Sequence, residues 1–103
     1  MKTYFTIAAI CVAQVTHAGD AEGLFAIKGA GLQTCGQFIE AMEASTPDVA
    51  LYGGWIEGYL TAQNQHLDDT FDLTPWQTTT TMRTLTQNTC TQLPAETRFI
   101  YGF

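Results

Sequence analysis

The sequence predicts an all-α domain, a small three- to four-helix bundle stapled by one disulfide. Three observations carry this. Helix-start signals built on threonine recur at Thr34, Thr46 and Thr74. Each is followed by apolar residues at helical rather than strand spacing. Two cysteines, Cys35 and Cys90, bracket these segments behind what reads as an export leader, and an even pair in an exported chain reads as a bridge. The 103 residues suffice for one small domain and not for two.

The leader is read from its three regions. Met1 and Lys2 give a short positive start, Thr3 to Ala13 an uncharged apolar run, and Thr16-His17-Ala18 a small-residue end suited to cleavage after Ala18. The run is about eleven residues, well short of the roughly 20 that span a bilayer. Cys11 follows Ile10, where a lipobox takes Gly, Ala or Ser, so lipidation is not expected. The predicted organisation is a leader over 1–18, an N-terminal tail over 19–33 and a helical domain over 34–103. The predicted location is periplasmic or secreted, with no membrane span in the mature chain.

Residues 19–33 are rich in Gly and Ala without sustained periodicity. They read as a tail, with a short docked turn around Leu24, Phe25 and Ile27. The first helix starts at Thr34, because Thr34 and Gln37 form a capping box. Cys35, Phe38, Ile39 and Met42 then share one face. The stretch Ser45 to Asp48 separates it from a second helix, with Thr46 at the N-cap, Pro47 at N1 and Asp48 against the positive end of the dipole. That helix runs to about His66. Leu51, Tyr52, Trp55, Ile56, Tyr59 and Leu60 form its apolar stripe, with Glu57, Thr61 and Asn64 predicted to face water.

Three glycines weaken this second helix, each by about 1 kcal/mol relative to Ala. Gly54 and Gly58 lie four apart, on one face beside Trp55 and Tyr59. They predict a notch where a neighbouring helix packs closely. Residues 66–72 form a polar connection. Thr74, Pro75 and Gln77 repeat the start signal, predicting a third helix to about Leu93 with Trp76, Thr79, Met82, Leu85, Thr89, Cys90 and Leu93 on its buried side. The β-branched run Thr78 to Thr81 argues against helix locally. Pro94 ends the helix, and Phe99, Ile100 and Tyr101 are expected to dock in one last turn.

Composition narrows the function. After the leader, ten carboxylates oppose only Lys28, Arg83 and Arg98, a net charge of −7 against −6 for the whole chain. No basic patch is present, which argues against nucleic acid and anionic lipid and favours a basic protein partner. Asp68, Asp69 and Asp72 beside His66 lack the alternation, central Gly and terminal Glu of a calcium loop. They read as a solvated acidic loop and a candidate partner surface. One histidine in the mature chain cannot build a His-rich zinc site, and no recognised motif places a nucleophile beside it. Glu57 is the one carboxylate inside the aromatic-rich helix, and its phase puts it opposite the stripe. The reading is a non-enzymatic protein without cofactor or metal.

Thr34-Cys35 followed by Phe38, then Trp55-Ile56-x-Gly58-Tyr59-Leu60 with Asn64, and Cys90 followed by Pro94, resemble small exported proteins of the HdeA-like kind. That group holds periplasmic acid-stress chaperones and the related Rap/Tai immunity proteins of type VI secretion. The resemblance covers most of 34–94. It implies a helical domain, a disulfide equivalent to Cys35–Cys90, no cofactor and action through protein contacts. The chaperone branch loosens in acid and holds unfolded clients. The immunity branch, usually as a homodimer, binds a toxic effector. This chain is poorer in lysine than the chaperones. With carboxylates neutral it carries only about +5, which favours the immunity branch.

Overall fold

Four helices and no strand form among residues 18–103, the residues that the computed structural model describes. The predicted leader, apart from Ala18, lies outside them. A 3-10 turn over Gly29–Leu32 precedes α1 (Cys35–Ala44), α2 (Val49–His66), α3 (Thr79–Thr91) and the one-turn α4 (Phe99–Gly102).

The start of α1 accounts for every orphan donor of its first turn. Thr34 Oγ1 accepts from Gln37 N at 3.1 Å, and Gln37 Oε1 accepts from Thr34 N at 2.9 Å, which is the predicted capping box. Cys35 N donates to Thr97 O at 2.7 Å, Gly36 N to Ala95 O at 2.9 Å, and Phe38 N to Thr34 O at 3.0 Å. So the segment after α3 crosses the end of α1 and caps it. Phe99 N to Gln33 O, at 2.6 Å, and Arg98 Nη1 to Leu32 O, at 2.8 Å, extend the seam. A Cβ on Gly36 would lie 3.2 Å from Ala95, so glycine permits the crossing.

Cys35 opens α1 and Cys90 lies near the end of α3. They are disulfide-bonded, with Cα atoms 5.1 Å apart across a sequence separation of 55. At the other end, Met42 of α1 lines the same small cavity as Arg83 of α3. The two helices are therefore antiparallel, the arrangement that a Cys35–Cys90 bridge demands. Phe38 from α1, Tyr52 from α2 and Phe99 from α4 pack mutually, with ring centroids 4.8 to 4.9 Å apart. Ile56, Ala41 and the disulfide complete the buried core. Gly102 seats against the bridge, where a Cβ would overlap both sulfurs.

Several boundaries and faces differ from the sequence reading. Thr46 does not cap α2. Its amide closes α1 by donating to Ala41 O at 3.2 Å, and its hydroxyl is buried without a partner. Pro47 and Asp48 instead form a tight turn before Val49. Thr74 to Gln77 makes one isolated turn, Gln77 N to Thr74 O at 3.0 Å, and α3 begins only after Thr78. Thr78 is extended and its hydroxyl accepts from Thr81 N at 3.1 Å, so the β-branched run splits between cap and helix.

The inward side of α3 is correspondingly Thr79, Met82, Thr86 and Cys90, while Leu85, Thr89 and Trp76 are exposed. Thr86 is fit for burial because its hydroxyl donates to Met82 O at 2.8 Å within the helix. Leu51 of the α2 stripe and Tyr101 of the C-terminal turn also face outward. In the N-terminal tail, Leu24 and Phe25 are exposed, and residues 28–31 dock instead. Trp55 Nε1 donates to Lys28 O at 2.8 Å, and a Cβ on Gly31 would overlap the Trp55 ring.

The glycine notch is displaced by one residue. An added Cβ at Gly54 or Gly58 meets nothing within 4 Å, so no helix packs there. At Gly53, which is buried, it would stand 3.1 Å from Thr79 Cγ2 and 3.6 Å from Arg83 Cδ. Gly53 is where α3 approaches α2. Gly58→Ala is therefore expected to raise stability by up to about 1 kcal/mol through helix propensity. Gly53→Leu is expected to lower it by about 1–3 kcal/mol through overpacking. Urea melts of the two variants check this, and a destabilised Gly58→Ala would contradict it.

Candidate interaction surface

The connection between α2 and α3 is short of regular structure but not of anchors. Asn64, in the last turn of α2, accepts from Leu73 N at 2.7 Å through Oδ1. Glu57, two turns further back, accepts from Thr79 Oγ1. Asn64 and Glu57 were predicted to face water. They hold the connection against the flank of α2 instead, although Glu57 stays exposed. Within it, Asp72 Oδ1 accepts from Thr74 N at 3.0 Å, and Thr70 Oγ1 donates to Asp68 O at 3.0 Å. Asp69 adopts φ +54°, a left-handed conformation that Asp tolerates better than most residues.

This anchored loop presents its large apolar side chains to solvent. Phe71 is 97% exposed and Trp76 82% exposed, with Leu67 and Leu73 also exposed. Single exposed leucines are ordinary, but two fully presented aromatics on one short loop are not. Asp68, Asp69 and Asp72, the predicted partner surface, lie on the same loop and are all exposed. No basic residue occurs between Leu67 and Thr78. The loop thus pairs apolar bulk with negative charge. The acidic residues were legible in the sequence. No pattern in the sequence singles out Phe71, and helical phase predicts Trp76 on the buried side, where the structure exposes it.

A second feature, a half-buried aromatic stack, lies on α2. Trp55 and Tyr59 stack with centroids 5.3 Å apart, and Phe103 meets both edge-on. Gly54 and Gly58 leave a shallow trench beside this stack, bounded across by Lys28 and Gly29. The two glycines thus border the aromatics as predicted, and open space takes the place of the predicted helix.

No group of three or more His, Cys, Asp or Glu among the described residues is placed to hold a metal ion. His66 ends α2 and is exposed, and Cys35 and Cys90 are buried in their bridge. No described helix is long and apolar enough to cross a membrane. Comparison with protein-family models, curated proteins and solved structures found no match to this chain.

Proposed function

We propose that this is an exported, non-enzymatic protein that binds another protein through the 67–78 loop, in the manner of an immunity or inhibitor protein. The observation that carries the reading is the exposure of Phe71 and Trp76 on a backbone anchored from α2. Aromatic anchors dominate binding energy at protein interfaces. A loop already held in place loses less conformational freedom on binding. The aspartates around these anchors favour a partner with a basic rim and speed its encounter. They also disfavour a homodimer formed through this loop, since each copy would bring the same charges.

The disulfide supports an oxidising compartment, and the resemblance to HdeA-like proteins supports action through protein contacts. The acid-stress chaperone is the competing reading, because exposed apolar side chains also suit unfolded clients. The two separate by experiment. Titration against a secreted toxin encoded beside this chain is expected to give saturable binding near neutral pH. Phe71→Ala with Trp76→Ala is expected to weaken it by at least about 100-fold, the effect of losing two anchors. Protection of a model client from aggregation at about pH 3 by the equimolar protein, with no saturable toxin binding, would replace this reading with the chaperone.

A further inference from the structure

A groove beside the start of α2 shares no lining residue with the 67–78 loop. Its larger part, about 670 Å³, lies between the 29–32 turn and the start of α2. Leu32 and Leu51, 43% and 65% exposed, line it together with the half-buried Trp55. These exposed leucines leave apolar area uncovered in the groove. A smaller part, about 290 Å³, adjoins it between the α1 flank and the start of α2. Glu40 and Asp48 line this part. Gln33, Asp48 and Tyr52 line both parts and so join them. The groove therefore passes from an apolar end to an acidic end without leaving one surface.

The charge belongs to residues that line the groove. The Asp48 carboxylate, second to burial, raises the pKa of the Tyr52 phenol, which places its field at the junction. No basic residue lines either part. An anion is disfavoured there, and so is a second copy of this acidic chain. An exposed Gln33 amide at the junction offers both a donor and an acceptor to a peptide backbone.

We propose that this groove binds an extended segment of a partner protein in which an apolar side chain is followed by Lys or Arg. The apolar side chain fills the Leu32–Leu51 end, and the cation lies against Glu40 and Asp48. The site does not depend on the 67–78 loop, so either can fail alone.

The test uses a peptide labelled at its N-terminal amine, fluorescein-Gly-Leu-Phe-Gly-Arg-Arg-amide, and a control with Glu-Glu replacing Arg-Arg. Anisotropy at low salt is expected to show the arginine peptide binding at least about tenfold tighter. The difference is expected to shrink as salt screens the groove. Glu40→Gln with Asp48→Asn is expected to weaken the arginine peptide about tenfold, while Phe71→Ala with Trp76→Ala leaves it unchanged. Amide shifts from the arginine peptide are expected at Leu32, Leu51 and the Trp55 indole. Equal affinity for the two peptides, binding insensitive to the Glu40/Asp48 pair, or no saturable binding would overturn the proposal.

Discussion

Replacing both cysteines, Cys35→Ala with Cys90→Ala, is expected to lower the unfolding free energy by about 4 kcal/mol. The bridge closes a loop with a sequence separation of 55. In the chain-entropy account a loop of that size restricts the unfolded chain by this amount. Both sulfurs are also buried, and Gly102 packs against them. A small domain has about 5–15 kcal/mol in total, so the variant is expected to be partly unfolded at physiological temperature. Urea unfolding of oxidised wild type against the double variant reads this directly. A midpoint shift worth only a few tenths of a kcal/mol would show that the helices hold themselves.

Phe99→Ala is expected to cost about 3–5 kcal/mol, the range for emptying a buried aromatic site. Phe99 is fully buried and contacts three rings, Phe38 at 4.8 Å, Tyr52 at 4.9 Å and Trp55 at 5.7 Å between centroids. These rings come from α1 and α2, so one side chain from the C-terminal turn ties both helices together. Its removal is also expected to loosen the segment that caps α1 and covers the sulfurs. Disulfide reduction by a small thiol is therefore expected to quicken in Phe99→Ala. The substitution and the loss of the bridge should not add, because both act on the junction of α1, α3 and α4. Urea midpoints of the two variants and their combination measure this, and strict additivity would contradict a shared junction.

Features set by local chemistry were legible in the sequence. The Thr34–Gln37 box is local to four residues and appears as read. The inward face of α1 also follows from short-range pattern, and the Cys35–Cys90 pair follows from the even cysteine count alone. Features decided by distant residues were not. Thr74-Pro75-x-Gln77 carries every mark of a helix start, yet Asn64 holds Leu73 just before it and Glu57 holds Thr79 just after it to α2. The turn that forms there does not propagate, and Trp76 then falls outside the bundle.

The glycines show a second limit. The apolar stripe of α2 is wide, and periodicity alone does not say which flank α3 covers. A rotation of about 100°, one residue, separates Gly53 from Gly54. α3 takes the Gly53 side, so Gly54 and Gly58 are left facing the trench. Thr86 shows a third limit. Helical phase pointed to Thr79 and Thr89, whereas Thr86 is the fully buried threonine, tolerated there because its hydroxyl is satisfied within its own helix. The exposed groove had no local signature, because Leu32, Glu40 and Leu51 come from three separate elements.

The proposed function requires the 67–78 loop to be held in place in the free protein rather than to be a loose connection. Amide hydrogen exchange at Leu73 tests it most directly, because that amide lies on an exposed residue and is held only by the Asn64 side chain. The account expects Leu73 to exchange at least about tenfold slower than an unstructured amide, and Asn64→Ala to abolish that protection while the core amides stay protected. Exchange of Leu73 at the unstructured rate in the wild-type protein would contradict it.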